Sequence, residues 1–185
     1  MNEKIVCTGN PNEPGIARHI FNLFPNSLFL SRNSGYDLLS EEGISKFKSI
    51  IKNYNIFINH SQLPPNGQEI LLDIAADEWS QGHIITIGSV LEFEKWSWID
   101  FESAESKKKL REKSLNLLSE KLKTTYIIVG GLKRNDNDHM RLDPSKVAEV
   151  IEFVINSKFN LPLIYIDDVS DELTEFWLEK KLMLI

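Results

Sequence analysis

At 185 residues, 42% hydrophobic and 26% charged, the chain is long enough for one domain with a full core and too short for two comfortable ones. Its formal net charge of −6, with no basic stripe, excludes a general role in neutralising nucleic-acid phosphates. A single cysteine, Cys7, excludes an intrachain disulfide framework, and no signal-peptide pattern or apolar run of bilayer length is seen, so a reducing cytoplasm away from membranes is expected.

The first segment, Lys4-Ile5-Val6-Cys7-Thr8-Gly9, reads as a short buried strand ended by a glycine that lets the backbone turn. Asn10-Pro11-Asn12-Glu13-Pro14 cannot continue a strand, and Gly15 opens an amphipathic helix with Ile16, Ile20, Phe21 and Phe24 toward one side. A strand, a glycine turn and a helix N-terminus gather unpaired N–H groups and the positive end of a helix dipole at one spot. In an α/β protein that spot takes the diphosphate of a dinucleotide. Two glycines six residues apart also suit a plain structural turn, so the later segments decide between the readings.

Ser27–Ser31 is a second strand ending at Arg32. At this point of a dinucleotide fold an acid holds the ribose 2′-hydroxyl and an arginine suits a 2′-phosphate. Arg32 therefore reads as a mark of NADP, or as a solvated loop arginine. Gly35–Leu38 is a brief third strand, after which Ser40 caps a helix with Glu41 and Glu42 in its first turn and Ile44, Phe47, Ile50 and Ile51 as its buried stripe. Asn55–Ser61 is the fourth strand, apolar and then abruptly polar, as buried parallel strands with ligands at their carboxyl ends are. Pro64-Pro65-Asn66-Gly67 breaks the chain before a helix bearing Ile70, Leu71, Ile74, Ala75 and Trp79. Gly82–Ser89 is the fifth strand, and a polar helix from Ser103 to Leu122 turns Leu110, Leu117 and Leu118 inward. Thr125–Gly131 is the sixth strand. Asp143-Pro144, an N-cap followed by proline at the first position, starts a helix lined by Val147, Ile151 and Val154. Leu161–Ile166 is the seventh strand, and Ser170–Lys181 a closing helix with Leu173, Phe176 and Trp177.

Strands alternating with helices at this spacing mean one α/β domain, Rossmann-like and doubly wound. Right-handed crossovers favour a parallel sheet of seven strands in the order 3-2-1-4-5-6-7, with helices on both faces.

In this order the segments resemble the short-chain dehydrogenase/reductase family over nearly the whole chain. Thr8-Gly9 through Gly15-Ile16-Ala17 looks like the family's cofactor loop, and its five-residue spacer is similar to that of the divergent enoyl-acyl-carrier-protein reductases. Asp37-Leu38 sits where the family often has an acidic-aliphatic pair beside the adenine. Asn59-His60-Ser61 occupies the place of the Asn-Asn-Ala-Gly block, with His60-Ser61 again similar to the divergent group. Ile84–Ser89 looks like the strand that presents the catalytic serine, so Ser89 is the match, and Ser106–Leu110 resembles the catalytic-lysine segment, so Lys107 is the match. Val129-Gly130-Gly131 stands where a Pro-Gly closes over the nicotinamide, and Asp143–Ala148 resembles the start of the family's late helix. The resemblance implies NADP, or else NAD, held by Thr8, Gly9, Gly15, Ile16, Arg32, Asp37, Asn59, His60, Lys107 and Gly131.

The resemblance also exposes a gap. The family's tyrosine donates a proton to the carbonyl oxygen as hydride arrives, a lysine lowers its pKa and holds the ribose, and a serine orients the substrate. Four residues before Lys107 stands Ser103. The wider spacing of the divergent group falls on Asp100, or on Phe101 if counted from Lys108, and no tyrosine lies between Tyr54 and Tyr126. A serine hydroxyl is a far poorer acid than a phenol. The chain is also shorter than a typical member, with a trimmed connection between the fourth and fifth strands and a brief loop after the sixth.

Other motifs carry less. His19, His60, His83 and His139 lack metal-ligand spacing, and Asp136-Asn137-Asp138 lacks the glycine and glutamate of a calcium loop. Lys107–Lys109 reads as a phosphate patch or a solvated helix face. Trp96 and Trp98 read as an aromatic wall for a flat ligand, or as a core or dimer contact. The apolar terminal segment Leu173–Ile185 offers a surface for a homo-oligomer. Two functions are then expected. One is a reduced NAD(P)-dependent oxidoreductase acting on a small carbonyl or enoyl substrate, with catalytic Ser89 and Lys107 and the proton relayed by Ser103 or water. The other is an inactive binding or regulatory module on the same fold.

Overall fold

The computed structural model describes residues 3–61, 63, 66–93, 101–119, 122–132 and 142–167, with 101–103 described for their backbone alone. The elements are β1 (Ile5–Thr8), α1 (Ile16–Leu23), β2 (Leu28–Leu30), a 3-10 turn (Arg32–Ser34), α2 (Glu41–Ile51), β3 (Ile56–Asn59), α3 (Gly67–Glu78) and β4 (Gly82–Ile87). A second 3-10 turn (Val90–Phe93), α4 (Phe101–Asn116), β5 (Leu122–Val129), α5 (Pro144–Asn156) and β6 (Leu163–Ile166) follow. The six strands form one parallel sheet in the order β2-β1-β3-β4-β5-β6. Pairing of Thr8 with Leu30, Asn59 with Thr86, and Ile87 with Ile127 brings the carboxyl ends of neighbouring strands together along one edge.

This is the predicted order less one edge strand. Residues 35–38 do not form a strand, because local hydrogen bonds take the backbone groups a sheet would need. Ser31 and Ser34 close a capping box around the first 3-10 turn, the N–H groups of Ser34 and Tyr36 both donate to Ser31 O, and Ser40 donates to Asp37 O. The sheet therefore ends at β2. The expected Ser103–Leu122 helix is also displaced: α4 starts earlier and stops at Asn116, Leu118 is exposed, and Leu122 already belongs to β5. Ser119 makes that stop, accepting Leu122 N on its hydroxyl and donating its N–H to Leu122 O. The expected closing helix, Ser170–Lys181, lies outside the described residues.

Helices start where the sequence offers caps. Ser40 Oγ accepts from Gly43 N at α2, with Glu41 and Glu42 favourable at its positive end, and Asp143 Oδ1 accepts from Ser145 N ahead of Pro144 at α5. Because successive strand residues face opposite sides, each strand feeds two cores. Cys7, Ile58, Ile85 and Ile127 pack under α1 and α5 with Ile20, Val147 and Ile151. Val6, Phe57, Ile84 and Ile128 pack under α2, α3 and α4 with Phe47, Leu71, Leu72 and Leu110. Each fully buried side chain of this size contributes about 1.5–3 kcal/mol, and these two layers fix the carboxyl edge on which the polar residues stand. Cys7 is buried in the first layer as expected, and desolvation pushes its thiol far above the usual range. Among the described residues no helix is long and apolar enough to cross a membrane.

Candidate functional site

The carboxyl ends of β1, β2 and β3 border a cleft of about 590 Å³. At one end is the loop between β1 and α1. Asn10 stitches it, donating from Nδ2 to Glu13 Oε1 (2.7 Å) and accepting Asn12 N on Oδ1 (3.1 Å), while Arg18 reaches back from α1 to the carbonyls of Pro11 and Asn12. Helix α1 has no side-chain cap and no acidic residue in its first turn, so its leading N–H groups lack the usual partners. Gly15 leads into it at φ +137°, a conformation that side chains strain against, and among the described residues a Cβ there would meet no atom beyond its chain neighbours within 4 Å. Backbone donors, a positive dipole end and open approach suit a phosphate group. Glu13 opposes it, since its carboxylate also borders the cleft.

Arg32, Tyr36 and Asp37 stand at the other end, so the cleft offers both an arginine and an acid there. His60 and Ser61 form the wall from β3. The N–H groups of His60 and Ser61 both donate to Thr8 Oγ1 at 2.9 Å, and His60 Nδ1 lies 3.3 Å from Thr8 O. A carbonyl only accepts, so Nδ1 carries the proton and Nε2 is left as an acceptor. Burial, with a further push from the charge on Lys107, lowers the His60 pKa to about 4 against the pull of the Thr8 carbonyl, so the ring is neutral at ordinary pH. Thr8 itself is fully buried behind this wall and ties β1 to the end of β3.

A second polar group stands farther along the same edge, apart from the residues that border the cleft. Lys107 Nζ donates to Gln68 Oε1; Gln68 Nε2 donates to Asn59 O (2.9 Å) and Ile87 O (3.2 Å); Asn59 Nδ2 donates to Gln68 O (2.7 Å). Burial brings the Lys107 pKa down to about 8, with Glu92 pulling the other way. The Glu92 side chain is buried beside Arg111, Oε2 to Nε 3.4 Å, and among the described residues neither of its oxygens accepts a hydrogen bond. Burial raises its pKa to about 7 against the charges of Arg111 and Lys107. Arg111 spreads over the Phe93 ring, 5.1 Å from its centroid, and Ser89 Oγ accepts from Leu91 N at 3.3 Å.

The fold also delivers a tyrosine that sequence spacing misses. Tyr126, on β5, donates its phenol to Lys107 O at 3.0 Å, and a Cβ at Gly88 would lie 2.2 Å from that phenol oxygen, so only glycine fits there. Tyr126 is fully buried, and desolvation drives its hydroxyl far above the usual phenol range. That is the wrong direction for an acid, and its proton is committed to a backbone carbonyl. Its task is to hold α4 on the sheet.

Of the residues expected at the site, Gly9, Gly15, Ile16, Arg32, Asp37 and His60 meet around one cleft. Thr8, Asn59, Ser89, Lys107 and Gly131 do not border it; Gly131 is exposed, next to the bordering Leu132. Ser103 lies in α4, its side chain outside the described residues, as are Trp96, Trp98, Asp136-Asn137-Asp138 and His139. Sequence reasoning missed Tyr36, Gln68 and Glu92; a glutamine directly after the Pro-Pro-Asn-Gly break, on a helix's inner side, was the available signal for Gln68. Among the described residues no group of three or more His, Cys, Asp or Glu could hold a metal ion.

No protein-family model and no curated protein matches this sequence. Solved structures do match. Serine dehydrogenase from Escherichia coli aligns with a TM-score of 0.69 at 17% identity, over 89% of this chain and 98% of that one. Acetoin dehydrogenase from Enterobacter cloacae aligns at 0.70 and 13% identity, over 90% and 95%. A short-chain dehydrogenase from Leptospira borgpetersenii, solved with bound NAD+, aligns at 0.67 and 13% identity, over 89% and 91%. The likeness is one of fold: this chain has the fold of the short-chain dehydrogenases and reductases.

Proposed function

We propose that the chain is a dinucleotide-binding protein of the short-chain dehydrogenase/reductase kind, an NAD(P)-dependent oxidoreductase of the cytoplasm acting on a small carbonyl or enoyl substrate. The observation that carries this reading is the uncapped start of α1 with the open approach over Gly15, at the carboxyl edge of β1, where doubly wound folds hold their nucleotides. A neighbour of the same fold is described with bound NAD+. In this reading the N–H groups from Gly15 onward bind the diphosphate, with Gly9 giving the turn. His60 Nε2 accepts from a ribose hydroxyl, Arg32 favours a 2′-phosphate and hence NADP, and Asp37 borders the adenosine. The nicotinamide, when bound, gives or takes a hydride. Ser89 orients the substrate carbonyl, Lys107 holds the ribose, and Ser103 or water relays the proton.

A second reading, an inactive binding or regulatory module, draws on Tyr126: the tyrosine that approaches Lys107 is already spent on a backbone carbonyl. Titration of the protein with NADPH and NADH, followed by cofactor fluorescence, tests both. Saturable binding, tighter for NADPH, with turnover on a panel of carbonyls and enoyl thioesters supports the enzyme. Binding without turnover supports the module, and no binding of either cofactor overturns the dinucleotide reading.

A further inference from the structure

Gln68, in the first turn of α3 and 5% exposed, joins three elements through one side chain. Its Nε2 donates to the carbonyls of Asn59 and Ile87, the last residues of β3 and β4, and its Oε1 accepts from Lys107 on α4. Carbonyls only accept, so both amide hydrogens are committed and the oxygen must face Lys107. The amide orientation follows from the network itself. A glutamate here would lose both donors to the strand-end carbonyls, and a shorter or apolar residue would lose the acceptor.

The partner matters as much as the place. Lys107 is a long, flexible, half-buried cation, and such a side chain reaches for water unless something holds its head. The holder here is a neutral oxygen. Among the described residues, the charged and titratable groups around it are Glu92 from the second 3-10 turn, Arg111 one turn further along α4, and His60 at the end of β3, while the Tyr126 hydroxyl donates to the carbonyl of Lys107 itself. Glu92 attracts the ammonium from a distance, with Arg111 closer to the carboxylate at 3.4 Å. Among the described residues, the ammonium is thus fixed in place with only the more distant Glu92 to offset its charge.

We propose that Gln68 is the positioning residue for Lys107, holding its ammonium at the carboxyl edge of β3 and β4 with the positive charge left free for the ribose hydroxyls of a bound nucleotide. This rests on the dinucleotide reading above for the ligand, but not for the clamp. Asn59 supports it from below, since its Nδ2 bond to Gln68 O fixes the backbone from which the glutamine projects. Asn59 therefore acts through Gln68 rather than on a cofactor directly.

The test is the titration of Lys107 in the full-length, ligand-free protein, labelled with ¹³C-lysine and read at Cε by NMR, with Lys107→Arg assigning the resonance. In the wild type the midpoint is expected near 8. Gln68→Met keeps the length and removes the acceptor, so the ammonium escapes to water and the midpoint rises toward the ordinary lysine value by about one unit or more; a midpoint that falls, with the ammonium still buried and short of its hydrogen bond, overturns the proposal. A merely structural role for Gln68 would lower the melting temperature and leave that midpoint in place, which would overturn the proposal. Should Gln68→Met not fold, Gln68→Asn, one methylene short of the ammonium, is read at the same resonance with the same outcomes. In the cofactor arm, Gln68→Met weakens NADPH about tenfold, and the Gln68→Met/Lys107→Met double variant is no weaker than Lys107→Met alone; additive losses count against the clamp. A wild type that binds neither NADPH nor NADH removes the ligand, while the ligand-free titration still judges the clamp by itself.

Discussion

At Gly15 the backbone holds φ +137° and the space beside it is open, so local geometry and ligand approach make the same demand. Gly15→Val is expected to cost about 1 kcal/mol or more of stability through backbone strain. It should also weaken NADPH by about tenfold, because the branched side chain enters the space a phosphate would use. Calorimetry beside a fluorescence titration separates the two effects; a stable variant with unchanged affinity would mean that the phosphate lies elsewhere. Arg32 poses the converse question, since it shares its end of the cleft with Asp37. Arg32→Ala should weaken NADPH about tenfold and NADH by less than about twofold, through loss of a charge-assisted bond to the 2′-phosphate. Equal losses for the two cofactors would return Arg32 to the solvated loop.

Among the elements, α4 is tied to β5 by a buried phenol. Tyr126→Phe removes the bond to Lys107 O, a carbonyl inside α4 that keeps its place in the helix ladder, so a loss of about 0.5–1.5 kcal/mol is expected on chemical denaturation, with NADPH affinity little changed. A large fall in affinity at unchanged stability would give Tyr126 a functional task instead. The strands were legible in the sequence because parallel strands buried on both faces are continuous apolar runs, as in Ile5–Thr8 and Ile56–Asn59. The misreadings arose where local hydrogen bonding outweighed residue preference. Ser31, Ser34 and Ser40 captured the chain around Gly35–Leu38, and Ser119 ended α4 before a strand that opens on Leu-Lys-Thr-Thr. The glycine loop could be read because its parts are contiguous. Glu92 and Tyr126 could not, and Gln68 only by its place after the Pro-Pro-Asn-Gly break, because their roles come from partners brought across the sheet and from a burial that exists only once the chain has folded.

Among the described residues, three desolvated groups set opposing trends at acid and neutral pH. Burial holds the His60 and His83 pKa values near 4, against about 6.5 unfolded, so each contributes stability that is lost as pH falls from about 6.5 to 4. Glu92, raised to about 7, acts the other way: between about 4.5 and 7 the folded state binds the extra proton, so its contribution falls as pH rises. With two histidines against one glutamate, stability should rise with pH between about 4.5 and 6.5. Glu92→Gln removes the opposing group, so urea denaturation should show a steeper rise, a variant more stable than wild type at pH 8, and little difference at pH 4.5. A variant weaker than wild type at pH 8 would mean that the pair with Arg111 outweighs the burial of Glu92. The sheet order has one more consequence. β1 sits between β2 and β3, yet the ribosome releases it first, and its partner from Ile56 onward follows about 3–10 s later at ordinary rates of synthesis. During that interval a nascent chain carries an apolar strand with only the three residues of β2 to shield one edge, which makes the wait for β3 the interval when a chaperone matters most.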